Sequence, residues 1–435
     1  MHIVMLANNA CVFDARIRRE AEALVDDGHE VSVLATSAHG LPDRETVGGV
    51  DYLRIFKVRE IRKSLEAQSK KAAAGGRWRT QLKSLVFKAG RRMITPSLRH
   101  LIGYAHAYRQ AIAGLAPDVV HAHDLDTLFA GWLGAHRAKA ALVYDAHELE
   151  TDRNLPMVPF EKTYRAFVER LLIRRCDAVI TVSDSIADHL AKRYRLTRPT
   201  VVLNAPAAEA AAAERDGDIR TDLQLAADMP LALYVGGVMP ARGLEPAVRA
   251  LAHLPDLHLA LLGPRQEATE RQLGDLAEAL RVRDRLHLVD PVPPGRLRRY
   301  IASADVSLVL IQNICLSYRY CFPNKLLLSL FAGLPVVAAR LVELERMIER
   351  TGAGLVVDET DPKAIADAIA AILAAPDRYR PDSDVIRSLE ESHGWAAQKT
   401  RLLACYDKLA PAVYGRGSEL PENDAAALFS GAPPR

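Results

Sequence analysis

LALYVGGVMPARGLEPAVRAL, residues 231–251, shows the unit from which this chain is built. A short apolar run has the length of a buried parallel strand, two glycines follow as a turn, and an amphipathic segment of helical period comes next. The same order of strand, turn and helix recurs on both sides of this stretch. This recurrence predicts an α/β fold in which helices cover parallel sheets.

Apolar runs of strand length fall into two sets along the chain. The first set lies at 2–7, 30–35, about 49–58 (a hairpin-like stretch), 118–124, 142–147, 177–183 and 201–206. The second set lies at 231–237, 257–263, 286–290, 304–310, 334–339 and 354–358. An Ala- and Glu-rich stretch, 207–218, separates the two sets and is predicted to be a linker. Predicted helices include one from about Ala15 to Gly28, one over 362–374 and a long amphipathic one around Trp395 to Leu409.

We therefore predict two Rossmann-like, doubly wound parallel-sheet domains that face a central cleft. The first comprises residues 1–204 and the second residues 219–390, followed by a C-terminal helix over 391–412. The tail, 415–435, is rich in Gly, Pro, Ala and acidic residues and is predicted to be disordered. Ligands of open α/β sheets bind beyond the carboxyl ends of the strands, so residues that carry function should follow strands.

The composition predicts a soluble globular protein: of 435 residues, 49% are hydrophobic and 26% are charged. The formal net charge of +3 gives no general indication of nucleic-acid binding. The chain begins without the features of a signal peptide, and no stretch reaches the length of a membrane span. The cysteines form no C-x-x-C pair, which argues against a disulfide framework or a thiolate metal site and favours the cytoplasm. They are Cys11, Cys176, Cys315, Cys321 and Cys405.

Imidazole and carboxylate groups follow two strands of the first set. The strand at 118–124 ends in His121-Ala-His123-Asp124, and we expect one of its two histidines to project into the cleft. The strand at 142–147 runs into Asp145-Ala-His147-Glu148. A lone histidine at a strand end is usually a structural hydrogen-bonding group, but two such pairs favour a functional role for at least one. Asp124 and Asp126 also have D-x-D spacing, a short pattern that is weak evidence for a metal site, and we predict no metal.

The loop after the first strand, residues 8–16, allows two interpretations. Small and polar residues before a helix leave backbone N–H groups free, where an anion or a sugar hydroxyl can bind, with Asn9 and Asp14 as candidates. The alternative is an ordinary capped loop between strand and helix. The dinucleotide fingerprint G-x-G-x-x-G is absent, which weakens a reading as an NAD or FAD site.

Two stretches of the second domain have the chemistry of a phosphate site. After the strand at 231–237, Gly237 permits close approach of a ligand, and Arg242 offers a fork of donors for phosphate oxygens. Asn324 and Lys325 open an apolar helix that ends at Gly333. A lysine at a helix N-terminus opposes the helix dipole, and an anionic ligand there would remove the conflict.

Taken together, VGGVMPARGLEPAVRAL (235–251), PNKLLLSLFAGLPVVAA (323–339), DVVHAHD (118–124) and VYDAHEL (143–149) resemble family 4 retaining glycosyltransferases of the GT-B fold. The resemblance covers residues 1 to about 410. It implies that the first domain binds the acceptor and the second binds the nucleotide sugar. It also implies that the helix around Trp395 crosses back to the first domain.

The resemblance also assigns residues. Gly237 and Arg242 match positions near the donor diphosphate, and Asn324 and Lys325 match the N-K pair that opens the donor-binding helix. In the first domain, His123 matches the cleft histidine at the reaction centre, and His147 and Glu148 match a strand end that faces the cleft.

The chain departs from the family pattern at two positions. Family members usually carry two glutamates eight residues apart, and here the earlier position is Tyr320 and the later is Leu328. The later glutamate normally holds the donor ribose hydroxyls, and a leucine cannot accept those hydrogen bonds. The loss of a charged acceptor costs about 1.5–3 kcal/mol, roughly a ten- to hundredfold loss in affinity.

The function predicted from the resemblance is transfer of a sugar, with retention, from a nucleotide-diphosphate sugar to an acceptor. Arg242 and Lys325 would stabilise the departing diphosphate, so no metal or other cofactor is required. His123 would position the sugar or the acceptor. Leu328 leaves open a degenerate GT-B protein that binds a nucleotide or a partner without transfer. A GT-B nucleotide-sugar epimerase is a further alternative, less consistent with the P-N-K helix and the H-A-H-D strand end.

Residues 61–99 contain eleven Lys and Arg residues and one acidic residue, Glu66. Their apolar residues recur at helical spacing, which predicts a basic amphipathic helix that can lie on an anionic membrane surface. The alternative is a helix whose apolar stripe contacts the first domain. Because acceptors of this family are commonly lipid-linked, we expect peripheral association with the inner face of the cell membrane. Binding of nucleic acid is less consistent with the sequence, because no recognised binding fold accompanies the charge.

Overall fold

The computed structural model of the protein describes residues 1–12, 14–56, 105, 108–154, 159–206 and 217–416. The basic segment 61–99 lies outside the described residues. So do most of the predicted linker and residues 417–435 of the predicted tail.

The first sheet has eight strands in the order β3-β4-β2-β1-β5-β6-β7-β8. All neighbours are parallel except β3, which pairs antiparallel with β4. The strands are β1 His2–Leu6, β2 Glu30–Thr36, β3 Arg44–Val47, β4 Val50–Phe56, β5 Val119–His123, β6 Ala141–Ala146, β7 Ala178–Thr181 and β8 Thr200–Val201. Every residue of β5 and β6 is buried, as expected for strands that helices cover on both faces.

The helices of this first unit are Ala15–Asp26, residues 108–115, Asp124–Ala138, Pro159–Leu172 and Asp184–Tyr194, with a short 3₁₀ turn at Ile173–Arg175. Asp14 caps the first helix, Ala15–Asp26, because its carboxylate accepts a hydrogen bond from the backbone N–H of Ile17 at 3.2 Å. Ser183 caps the helix Asp184–Tyr194 in the same way through Ile186.

The second sheet has six parallel strands in the order β11-β10-β9-β12-β13-β14. They are β9 Leu231–Val235, β10 His258–Leu262, β11 Leu286–Val289, β12 Val306–Val309, β13 Val336–Ala339 and β14 Gly354–Val357. The helices around it are Ile219–Asp222, Leu244–Ala250, Glu267–Ala279, Pro294–Ile301, Leu316–Arg319, Asn324–Phe331, Val342–Thr351, Pro362–Ala374, Pro376–Tyr379 and Ser383–His393, with 3₁₀ turns at Leu251–His253 and Arg283–Arg285.

The C-terminal helix, Trp395–Arg416, packs on β6 and β8 of the first sheet and on the first helix. Leu402, Tyr406 and Leu409 are buried in the same apolar cluster as β1, β2 and the first helix. The side chain of Gln398 accepts a hydrogen bond from the backbone N–H of Leu203 at 3.0 Å, and Lys399 pairs with Asp26 at 2.8 Å. The C-terminal helix is therefore packed against the domain that contains β1.

The structure confirms two parallel-sheet α/β domains, and each predicted apolar run overlaps a strand. The hairpin predicted around 49–58 lies somewhat earlier, at β3 and β4, with its turn at Gly48 and Gly49. The predicted domain limits, 1–204 and 219–390, stay a prediction. Within the part of the chain that the structure describes, no helix is both long enough and apolar enough to cross a membrane.

Candidate active site

The turn after β9 is shaped by glycines. Gly236 has a φ of 132°, and a Cβ atom there would lie 3.3 Å from Nζ of Lys325. Gly243, which begins the next helix, has a φ of 71°, and a Cβ there would lie 2.1 Å from the carbonyl oxygen of Leu310. Both positions favour glycine, which lets the loop approach Lys325 of the Asn324–Phe331 helix at Gly236 and the backbone of Leu310, after β12, at Gly243.

Lys325 lies against the ring of Tyr234. Its Nζ donates a hydrogen bond to the Tyr234 hydroxyl at 3.0 Å and lies 4.1 Å from the centroid of that ring. The Tyr234 hydroxyl in turn donates to the carbonyl oxygen of Gly237 at 2.9 Å. Burial lowers the pKa of Lys325 to about 7, and the positive charge of Arg242 adds to the effect. A bound anion would raise this pKa again and so favour the charged form of Lys325.

Two more groups complete the polar side of this site. Oδ1 of Asn324, in the first turn of its helix, is buried and has no hydrogen-bond partner among the described residues. The Arg242 guanidinium lies 5.3 Å from the ring of Tyr318 and forms no salt bridge within the described ranges. The unpartnered Asn324 oxygen is an acceptor and suits a ligand hydroxyl, whereas the guanidinium and the free N–H groups of the helix start can bind phosphate oxygens.

A buried ion pair organises the corresponding edge of the first sheet. Arg16, in the first helix, donates to both carboxylate oxygens of Asp145 at 2.8 and 2.9 Å, and to the carbonyl oxygen of Val202 at 2.6 Å. Burial alone would raise the pKa of Asp145, but Arg16 and His147 outweigh it and hold this pKa well below its usual range. Asp145 is therefore a fixed negative charge at the end of β6.

His147 bridges two carboxylates at the edge of the cleft. Its Nε2 lies 3.0 Å from Asp145 Oδ2, and its Nδ1 lies 3.5 Å from Asp124 Oδ2. Burial opposes the charged ring, but Asp124 and Asp145 raise the pKa of His147 to about 10. The side chain is 19% exposed, so this imidazolium reaches the surface of the site.

His123 lies behind His147. Its Nδ1 is 3.2 Å from His147 Nε2 and 3.3 Å from Asp145 Oδ2, and its side chain is only 1% exposed. Burial lowers its pKa. The rings of His121 and His123 stack at 4.3 Å, because residues two apart in a strand share one face. The expectation that one of the two projects into the cleft is thus corrected: both are buried on the same face.

Asp124 and Asp126 do not form a joint metal site among the described residues. Asp124 pairs with His147, whereas Asp126 pairs with Arg165 at 2.8 Å. Asp124 has a φ of 61°, an uncommon backbone conformation that places its carboxylate beside His147. Burial raises the pKa of Asp124 to about 7, with His147 opposing the rise.

The loop that holds Asn9 and Asp14 corresponds to the capped-loop interpretation. Asn9 Nδ2 donates to Asp14 Oδ2 at 2.8 Å, while Asn9 Oδ1 accepts from the backbone N–H of Cys11 at 2.7 Å. Both side chains are thus engaged in holding the loop and starting the first helix.

Glu148 lies nearer the second domain. Burial raises its pKa, and the charges of Arg153 and Arg242 oppose the rise.

Tyr320 and Leu328 do not join the polar groups. The carbonyl oxygen of Tyr320 accepts a hydrogen bond from the Ser183 hydroxyl at 2.6 Å, so this residue lies where the two domains meet. Leu328 is 8% exposed and belongs to an apolar cluster that includes Val235 and Leu262. The position that the resemblance assigns to a ribose-binding glutamate is therefore part of an apolar cluster.

The two halves of the site are linked through one short helix, Leu316–Arg319. Ser317 Oγ accepts a hydrogen bond from the backbone N–H of Leu149 at 3.2 Å, and the Ser317 N–H donates to the carbonyl oxygen of Asp152 at 3.1 Å. This helix also carries Tyr318, which contacts Arg242. The strand end with His147 and Glu148 and the loop with Arg242 therefore adjoin.

Sequence reasoning missed several contributors to the site. They are Arg16, Glu20, Tyr234, Tyr318 and Tyr406. Arg16 and Glu20 could have been found, because opposite charges four residues apart on the apolar face of a helix indicate a buried pair. The tyrosines could not, because their hydroxyls meet partners distant in sequence. With His121, His123 and Asp145, Glu20 also forms a buried group of metal-ligand types that the sequence analysis did not foresee.

Comparisons with known proteins agree with this architecture. The model of Glycosyltransferase Family 4 matches residues 15–205, and that of Glycosyl transferases group 1 matches residues 229–375. The D-inositol 3-phosphate glycosyltransferase of Xylanimonas cellulosilytica is 30% identical over 304 residues, which are 66% of this chain and 71% of that protein.

Solved structures share the fold at low sequence identity. Sucrose-phosphate synthase from Thermosynechococcus elongatus matches with a TM-score of 0.71 at 20% identity, over 95% of this chain and 100% of that one. HepE of Anabaena in complex with UDP-glucose matches with a TM-score of 0.60 at 14% identity, again over 95% and 100%.

The two sheets and these matches define a glycosyltransferase of the GT-B fold. The chain belongs to the family 4, or group 1, glycosyltransferases.

Proposed function

We propose that this enzyme transfers a sugar, with retention, from a nucleotide-diphosphate sugar to an acceptor bound mainly by the first domain. One observation carries the proposal. Lys325 and Arg242, neither of which forms a salt bridge among the described residues, lie close enough to interact electrostatically beside the start of the helix that opens at Asn324. Cations and free N–H groups arranged in this way suit a diphosphate.

The solved neighbours support a nucleotide-sugar donor. HepE of Anabaena was solved with UDP and with UDP-glucose. In the transfer proposed here, the bond between the anomeric carbon and the diphosphate breaks, a bond to the acceptor oxygen forms, and the proton of the acceptor hydroxyl passes to the departing diphosphate. Arg242, Lys325 and the helix N–H groups stabilise the charge that develops on the leaving diphosphate. In this proposal the protein's own cations carry out this task, without a metal or another cofactor.

His147 and His123 have separate roles in this proposal. His147 meets the reacting sugar or the acceptor, because it is the imidazole that reaches the surface. His123 is a positioning residue behind it. The position of Asp145 between the two rings supports this division, since one carboxylate orients both.

For the acceptor, we propose a lipid-linked or glycan precursor reached at an anionic membrane surface. The eleven basic residues of 61–99 support this part from sequence alone. Flotation with anionic and with neutral vesicles tests it. We expect binding to the anionic vesicles only, and equal binding to both would contradict an electrostatic attachment.

The donor is tested with a panel of UDP-, GDP- and ADP-sugars, in which both hydrolysis and transfer are measured. We expect turnover of one nucleotide class, with the anomeric configuration of the donor kept in the product. Tight nucleotide binding with no turnover of any donor would contradict the proposal and favour a binding protein. A donor converted into its epimer without transfer would favour an epimerase.

A further inference from the structure

Four buried polar atoms beside the candidate active site have no hydrogen-bond partner among the described residues. They are both carboxyl oxygens of Glu20 and the Nε2 atoms of His121 and His123. Glu20 approaches Arg16 at 3.0 Å, but that contact is not aligned as a hydrogen bond. Because buried polar groups in native proteins are nearly always satisfied, four such atoms in one place require an explanation.

The four atoms belong to one compact group of side chains. Glu20, His121, His123 and Asp145 are all buried, and one oxygen or ring nitrogen of each lies within 4.8 Å of those of the other three. The histidines come from one face of β5, and Glu20 comes from the first helix, whose apolar residues share a core cluster with neighbouring strands. A carboxyl oxygen of Glu20 thus lies within 4.8 Å of a ring nitrogen of each histidine, and rotation of the Glu20 side chain has to close the remaining distance to a hydrogen bond.

The other ring nitrogens show which protons each histidine holds. His121 Nδ1 lies 2.7 Å from the Tyr406 hydroxyl. When that hydroxyl donates to Nδ1, His121 carries its proton on Nε2 and can donate it. His123 Nδ1 lies 3.2 Å from His147 Nε2 and 3.3 Å from the Asp145 carboxylate. The charged His147 donates from Nε2 to Asp145 at the shorter distance of 3.0 Å, so we assign Nδ1 of His123 as a second donor to that carboxylate, which leaves its Nε2 as an acceptor.

We propose that Glu20 is a positioning residue held as a neutral acid, which donates to Nε2 of His123 and accepts from Nε2 of His121. Glu20 then completes a chain of hydrogen bonds from Tyr406 on the C-terminal helix to the cleft. A carboxylate at this position could accept from His121 but would leave His123 without a donor. With the histidine protons placed in this way, the neutral acid is the form that satisfies both rings.

The surrounding charges agree with a neutral Glu20. Burial raises the pKa of Glu20 to about 8, although Arg16 opposes the rise. A divalent cation in this group would have to lie beside Arg16 and the charged His147, which repel it in a buried site. The titratable groups that face Glu20 are Asp14 and Arg16 of its own loop and helix, His121 and His123 of β5, Asp145 and His147 of the β6 end, and Cys405 and Tyr406 of the C-terminal helix.

This chain of hydrogen bonds matters because it orients His147, the histidine that reaches the cleft. A fixed His123 ring presents Nδ1 to Asp145, and Asp145 in turn holds Nε2 of His147 at 3.0 Å. The C-terminal helix takes part through Tyr406, so the packing of this helix influences the orientation of His147. This inference rests on the role proposed above for His147.

Two variants distinguish the neutral acid from a charged group. Glu20→Gln keeps a donor and an acceptor in the positions that a neutral acid provides, whereas Glu20→Ala removes both. At pH 7 we expect the turnover number of Glu20→Gln to stay within about threefold of the wild type and that of Glu20→Ala to fall roughly tenfold. The KM for the donor should be unchanged in both, because Glu20 does not touch the donor site. The wild type should lose turnover as the pH passes about 8, and Glu20→Gln should not.

A second measurement needs no activity. Since the pKa of Glu20 in the folded protein lies above its ordinary value of 4.5, its stabilising contribution is complete below that value and declines as pH rises toward about 8. The Tm of Glu20→Gln relative to the wild type should therefore rise between pH 5 and pH 9.

Three results would overturn the proposal. They are a Tm difference independent of pH, a Glu20→Gln turnover as low as that of Glu20→Ala, and stoichiometric metal in the wild type that the Gln variant lacks. If the wild type turns over no donor, the proposed function fails, while the Tm comparison still decides the state of Glu20.

Discussion

Nζ of Lys325 lies 3.0 Å from the hydroxyl of Tyr234 and 4.1 Å from the centroid of its ring. The ring and the hydroxyl of Tyr234 thus contact one side of the Lys325 ammonium group. Because no carboxylate in the described chain neutralises this lysine, its charge depends on pH and on the ligand. The loop from Gly236 to Gly243 and the helix that begins at Asn324 meet at this contact.

Donor binding should take up a proton through Lys325. Its pKa is lowered to about 7 in the unliganded protein, and a bound diphosphate should raise it, since opposite charges favour the ammonium. The affinity for UDP should therefore decline above pH 7, by up to about tenfold per pH unit. Calorimetry in buffers of different ionisation enthalpy measures the uptake. Lys325→Met is the control and should show no such slope; a wild type without uptake would contradict the prediction.

Replacement of Arg242 by alanine should reduce turnover about a hundredfold, because a donor to the leaving diphosphate is lost. The free energy of unfolding should change little, since the guanidinium forms no salt bridge in the described ranges. Arg271→Ala, which removes an exposed arginine paired with Glu267, is the matched control. Steady-state kinetics with the preferred donor measures the effect. Full activity of Arg242→Ala would refute the assignment of the diphosphate site.

His147 should make the stability of the protein depend on pH. Its pKa in the folded protein is about 10, above the ordinary value of 6.5, so its contribution is complete below pH 6.5 and is lost as the pH rises through 10. The Tm of His147→Ala should consequently lie furthest below that of the wild type near pH 6 and approach it near pH 10. Thermal unfolding of both proteins across this range checks the prediction. A constant difference would show that the ring is not charged.

Leu328 should leave the enzyme with weak discrimination between ribose and deoxyribose. We expect the affinities for UDP and 2′-deoxy-UDP to differ by less than about threefold in the wild type, because an apolar wall offers no acceptor to a hydroxyl. Leu328→Glu should raise that ratio about tenfold through a charged acceptor. Calorimetric titration of both nucleotides provides the test, and Leu328→Met controls for altered packing. A strong preference for UDP in the wild type would mean that other groups hold the ribose.

Gly243 should tolerate no side chain. Gly243→Ala combines a positive φ with a Cβ placed 2.1 Å from a backbone oxygen, so the free energy of unfolding should fall by roughly 3 kcal/mol and donor binding should weaken. Gly274→Ala is the control, since that glycine lies in a helix with open space around it and alanine should stabilise it by about 0.5–1 kcal/mol. Urea unfolding of the two variants would decide the matter. If Gly243→Ala and Gly274→Ala changed the free energy of unfolding by the same amount, the close approach at Gly243 would be disproved.

Much of the candidate site could be placed on the fold in advance because parallel sheets present the ends of their strands at one edge. His147 follows β6 and Arg242 follows β9, as the apolar runs predicted. The alternation of strand faces, applied to His121 and His123, led to a wrong expectation, because residues two apart share a face and both rings turn inward. Tyr234 and Tyr406 were not foreseen, since their partners are 91 and 285 residues away in the chain.

The sequence by itself determined the two sheets and the order of most elements, because hydrophobic periodicity and glycine placement act locally and repeat along the chain. The family followed from the sequence as well, through the resemblance of its motifs to those of known glycosyltransferases. Only the tertiary structure decided which side chains are free. It pairs Asn9 with Asp14 and Asp126 with Arg165, and it buries His123 behind His147. It also gives Lys325 a tyrosine hydroxyl as its partner and leaves carboxyl or amide oxygens of Glu20 and Asn324 without a hydrogen bond among the described residues. The reason is that desolvation and hydrogen bonding depend on distances between residues far apart in sequence, and no local pattern records those distances.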